Sequence, residues 1–79
     1  MTILGMNTRR ATILEGIARG DSNGRMGDHL GISHYTVADE VQQLLAMFDA
    51  HNRTALVAAA VLAGALMPSA DGSHLTATA

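Results

Sequence analysis

Four histidines, His29, His34, His51 and His74, are the side chains best suited to hold a metal or move a proton near neutral pH. None stands four residues from another ligand on one helical stretch, and the chain contains no cysteine, so a zinc-type site has no framework. No glycine-rich phosphate loop, no nucleophile with a base and no carboxylate pair in a catalytic setting occurs. Ser22, Ser33 and Thr36 stand where hydroxyls serve helix starts rather than reactions. These observations point away from an enzyme, a metal and a cofactor. They leave hydrogen-bonding chemistry: Gln42 or Gln43 can pair with N6 and N7 of adenine, and a nearby carboxylate can accept from N4 of cytosine. The charge of Asp39 and Glu40 reads either as complementing the positive end of their helix or as repelling DNA.

Those residues lie in the stretch from Asp21 to Phe48, which reads as two helices joined by a tight turn. Ser22 caps the first, which ends at Leu30 where Gly31 accepts the left-handed conformation on which helices often stop. Ser33 caps the second, along which Val37, Val41, Leu44, Leu45 and Phe48 paint one apolar stripe at helical spacing. Met26 and Leu30 form the matching stripe on the shorter helix. A short capped helix, a glycine turn and a longer amphipathic helix make a helix-turn-helix, whose second helix usually enters the major groove of DNA.

The wording SNGRMGDHLGISHYTV resembles the SNKEIAxxLGISxxTV segment of LuxR-type (GerE-type) DNA-binding domains. Upstream, Ile13 to Gly20 is similar to that family's first helix and its closing glycine, with Asn7 or Thr8 as cap. Downstream, Asn52 to Val57 is similar to the arginine-threonine start of its fourth helix, so the resemblance covers roughly residues 6 to 66. The chain departs from the family's usual glutamate at Arg10, from a large apolar residue at Gly16, and from lysine and alanine at Gly24 and Gly27. The resemblance implies an all-α fold: a small four-helix bundle containing the helix-turn-helix, of the LuxR-type C-terminal effector domain kind. It implies DNA contacts at Ser22, Asn23, Ser33, His34, Tyr35, Thr36, Ala38, Asp39, Gln42 and Arg53. It also implies a homodimer through the fourth helix, carried by Leu56, Val57, Ala60, Val61 and Gly64. Positions aligned with the family's basic contacts hold Ala38 and Gln42, making the recognition helix atypically acidic.

Length and charge bound the rest. In 79 residues there is room for one domain, and a chain this small buries only about 60% of its unfolded surface, so a dimer partner aids stability. The formal net charge is −2, and all five basic residues are arginine. From Asp21 to Phe48 four acidic residues face Arg25 alone. Nucleic-acid affinity normally rests on phosphate neutralisation, so Arg9, Arg10, Arg19, Arg25 and Arg53 must anchor phosphates from the periphery. The apolar run Thr54 to Met67 is shorter than the roughly 20 residues needed to span a bilayer. No targeting segment is evident, and a cytoplasmic protein without membrane association is expected.

The resulting organisation is a flexible lead-in at 1–6, a LuxR-type helix-turn-helix domain at 7–66 whose last helix runs to about Leu66, and a disordered tail at 67–79. The expected function is that of a stand-alone, sequence-specific transcriptional regulator binding double-stranded DNA as a homodimer. The alternative from another class is an antagonist that keeps the fold, does not bind DNA, and pairs with another regulator.

Overall fold

Asn7, Ser22, Ser33 and Asn52 each turn a side-chain oxygen onto a backbone N–H three residues ahead, and each thereby starts a helix. The computed structural model, which describes residues 5–78, thus has α1 (Thr8–Arg19), α2 (Asn23–Leu30), α3 (His34–Met47) and α4 (Arg53–Leu62). The first four residues of the lead-in, including Ile3 and Leu4, lie outside the described residues. Met6 packs against the core. The core is built from the expected stripes: Ile13, Leu14 and Ile17 of α1, Met26 of α2, Val37, Val41 and Leu44 of α3, and Leu56 and Ala60 of α4. Leu45 and Phe48 complete the stripe of α3 as half-buried side chains.

Two of the departures from the family wording are matched by close packing. A Cβ at Gly16 would stand 2.6 Å from Sδ of Met26, so the missing side chain on α1 is the space into which α2 inserts its methionine. At Gly27 a Cβ would stand 2.7 Å from the carbonyl oxygen of Ile32, while the Ile32 N–H donates to the Gly27 carbonyl at 3.0 Å. The turn is folded back tightly onto the helix that precedes it. Gly31 supplies its left-handed corner, with φ of 70°. A third departure, Arg10, finds its partner across the core: its Nε donates to Oε2 of Glu40 at 3.1 Å, tying α1 to α3.

The end of the chain differs from expectation. Helix α4 stops at Leu62 rather than near Leu66, because the N–H of Ala65 turns back to the Ala60 carbonyl at 2.8 Å through Gly64, whose φ is 77°. Residues expected to form a disordered tail instead form an antiparallel hairpin of β1 (Leu66–Pro68) and β2 (Leu75–Ala77), paired Leu66 with Ala77, Met67 with Thr76 and Pro68 with Leu75. Ala65 and Leu66 are buried, with Leu75 and Ala77 packed beside them. Strand β2 lies along α1, and the Ala77 N–H donates to Oε2 of Glu15 at 2.8 Å. The connecting turn is organised by Asp71, whose Oδ1 accepts from Oγ of Ser69 at 2.6 Å and from N and Oγ of Ser73 at 3.0 and 2.8 Å. These bonds, that from Ser69 foremost, hold the Asp71 carboxyl well below the usual carboxylate range.

Candidate nucleic-acid interface

The α2–turn–α3 unit places one side of α3 away from the core. Val37, Val41 and Leu44 face inward, which leaves Tyr35, Asp39, Gln42 and Gln43 exposed away from the core and His34 exposed at the first position of the helix. At its start Ser33 caps the helix through Thr36 N–H at 3.1 Å, and the Ser33 and Thr36 hydroxyls lie 3.0 Å apart. Tyr35 is 73% exposed, and its ring sits 4.1 Å, centroid to centroid, from that of His34. Ala38 is half-buried at the margin of this face. The contacts expected on α3 are therefore brought together as one surface of amide, carboxylate, imidazole, phenol and hydroxyl groups.

The acidity of that surface is smaller than the sequence count. Glu40 is turned toward α1 and neutralised by Arg10, so Asp39 alone remains as an exposed carboxylate on α3. The arginines are correspondingly engaged. Arg10 also donates from Nη1 to the Gly5 carbonyl at 2.6 Å. Arg19 donates from Nε and Nη2 to Oδ2 of Asp21, and Arg25 lies 3.8 Å from Oδ1 of the same residue. Arg53 donates from Nη1 to the Asp21 carbonyl at 3.2 Å and from Nη2 to Oδ1 of Asn23.

Asn23 and Arg53, both expected as DNA contacts, thus meet each other where α4 begins beside the start of α2. Ser22, a third, spends its hydroxyl on the Arg25 N–H at 3.1 Å. Nothing in the spacing of Arg10 and Glu40, which join α1 to α3, or of Asp21 with Arg53, which join the α1–α2 link to α4, announces these pairs. The Asp21–Arg25 step of four residues is the one local signal.

On α4 the expected dimer contacts separate into two sets. Leu56 and Ala60 are fully buried in the protomer's own core, and they offer nothing to a second chain. Val57 is half-buried, while Val61 and Gly64 are exposed. The exposed side also carries Ala58, Leu62 at 89% exposure and, from β1, Met67 at 52%. Among the described residues no group of three or more metal-ligating side chains converges, and no helix is long and apolar enough to cross a membrane.

This arrangement agrees with comparisons to known proteins. No curated protein matches the chain. Among solved structures four chains match. One of these, VqmA bound to DPO, superimposes with a TM-score of 0.70 at 20% identity, covering 96% of this chain and 41% of that one. At that identity the likeness is one of fold, and this chain spans about two-fifths of the other's length. The GerE family, the bacterial regulatory proteins of the luxR family, matches residues 6–60, which include all four helix starts and the whole helix-turn-helix. By that match the chain belongs to the luxR family of bacterial regulatory proteins.

Proposed function

We propose that the protein is a sequence-specific, DNA-binding transcriptional regulator that works in the cytoplasm as a homodimer, with α3 laid in the major groove of each half-site. The observation that carries this reading is the uncovered face of α3, where Asp39, Gln42 and Gln43 stand free above an inward stripe that fixes the helix. Amides and a carboxylate suit base edges, with adenine and cytosine as their natural partners. Phosphate contacts fall to Ser33, Thr36 and Arg9. Few such contacts give a shallow dependence of affinity on salt.

A second reading is favoured by one specific observation, the engagement of Arg10, Arg19, Arg25 and Arg53 within the chain. On that reading the fold serves as an antagonist that dimerises with another regulator and spoils its DNA contacts. Selection of purified protein on random duplex DNA at about 20 mM salt, where the Debye length exceeds about 20 Å, separates the two. Enrichment of a two-fold symmetric site is the expected result, and failure to retain any duplex favours the antagonist. The variant Ala38→Lys, Asp39→Val, Gln42→Lys adds a second check. It scrambles an existing preference in a regulator and creates DNA affinity in an antagonist.

A further inference from the structure

Asp21 occupies the link between α1 and α2, and its side chain is only 18% exposed. One carboxylate oxygen, Oδ2, receives both Nε and Nη2 of Arg19, at 3.2 and 3.0 Å. The other faces Nε of Arg25 at 3.8 Å. Arg53 pins the backbone beneath, through the Asp21 carbonyl and the Asn23 side chain. The Nε and Nη2 edge of a guanidinium is the fork that takes one or two oxygens of a phosphate, and here it grips a carboxylate oxygen in that manner. The remaining surfaces of Arg19 and Arg25 are open, 46% and 80% exposed. Grooves of about 560 and 640 Å³ open beside them, one bounded by Arg19, Asp21 and Arg53, the other by Arg19, Asp21, Arg25, Asp28 and His29.

We infer that Asp21 is a built-in stand-in for a phosphate, holding closed an oxyanion site formed by Arg19 and Arg25 whose ligand is the nucleic-acid backbone. The inference rests on the DNA-binding reading, because the first helix of a helix-turn-helix crosses the backbone and Arg25 lies in its first turn. Arg53 acts as a positioning residue: it donates to the backbone of the link and leaves the carboxylate to the other two. The low phosphate-neutralising capacity of this chain is then set by one acidic side chain as well as by the small number of arginines. A carboxylate already in place competes with every phosphate that approaches, at no entropic cost of encounter.

The test is titration of random-sequence duplex DNA across a salt series with Asp21→Asn and Asp49→Asn. Asp49 is exposed after the end of α3 and forms no ion pair among the described residues, so its variant removes the same charge without releasing an arginine. Asp21→Asn is expected to raise affinity about three- to tenfold at low salt. It is also expected to steepen the log–log salt slope by about 1 to 2 per protomer, the mark of one or two freed cations. Asp49→Asn is expected to leave the slope unchanged. Equal slopes for the two variants overturn the inference, as does failure of every form to bind. Binding by Asp21→Asn with a steep slope, where the unaltered chain binds nothing, upholds the inference and removes the regulator reading instead. Should Asp21→Asn melt before it can be titrated, Asp21→Ser answers in its place: the same steepening of the salt slope is expected, and a slope equal to that of the native chain overturns the inference.

Discussion

Glycine is expensive in a helix, yet α2 carries two within eight residues, and their surroundings show that they are present for different reasons. Around Gly24 the nearest atom to an added Cβ is Oγ of Ser22 at 4.0 Å, so nothing opposes a side chain. Gly24→Ala should therefore raise stability by about 0.5–1 kcal/mol through helix propensity alone. At Gly27 the obstacle is the backbone oxygen of Ile32, which cannot rotate away. Gly27→Ala should cost a net ~1 kcal/mol despite the same gain in propensity, because overpacking against backbone costs about 1–3 kcal/mol. Thermal melts of the two variants measure both effects, and opposite shifts in Tm are the expected result. From sequence alone both positions read as equal penalties. Distinguishing them requires knowing how closely the turn approaches α2, which depends on the path of Ile32 and not on the identity of residue 27.

Among the elements, the four helices were legible because each announces itself twice, by a cap and by a stripe. Asn7, Ser22, Ser33 and Asn52 stand before apolar residues at helical spacing, and both signals are local. The hairpin announces itself by neither. Its strands are three residues long, its anchors are Leu66 and Leu75, and the turn between them is a run of small polar residues that disordered tails also contain. What converts that run into a turn is a single carboxylate with three hydrogen bonds, and this makes the hairpin sensitive to acid. The Asp71 carboxyl is held below its ordinary value of 3.8. The stabilisation it provides is therefore full above that pH and is lost as pH falls below it toward the lower value in the folded state. Protection of the Ser69 and Thr78 amides, both bonded across the hairpin, relative to the intrinsic rate at each pH should fall between about pH 4 and pH 2, and Asp71→Ala should show the low protection already at neutral pH. The protection of α3 amides should change less over the same interval.

For the molecule as a whole, the central question is how a chain of net charge −2 meets itself and meets DNA. The stretch from Thr54 to Ala70 contains no charged residue, and its outward side carries Val61, Leu62 and Met67, three of the four large hydrophobic side chains exposed among the described residues. Two copies can approach there without opposing like charges. Val61→Glu, at a position 42% exposed, should leave the protomer folded and shift its mass in solution from dimer to monomer. Sedimentation equilibrium is the measurement, and an unchanged mass would remove α4 from the interface. The charged residues gave a less complete picture in the sequence than the apolar ones did. Counting them predicts an acidic recognition helix, yet Glu40 is withdrawn into a pair with Arg10, thirty residues away. Apolar periodicity reports a face of one helix, whereas ion pairing is decided by which helix lies opposite.

The bond from Ala77 to Glu15 joins residues 62 positions apart, whereas the cap, turn and stripe of α2 and α3 close over short separations. Loop closure costs entropy in proportion to the logarithm of length, so the helix-turn-helix can assemble early and the strand is laid along α1 last. Contacts made after the rate-limiting step slow unfolding without hastening folding. The seam between the two ends of the chain is thus a kinetic fastening: Glu15→Gln should leave the refolding rate in stopped-flow experiments nearly unchanged and raise the unfolding rate. The part of the molecule that reads DNA would then form on its own schedule, and the hairpin would govern how long it lasts.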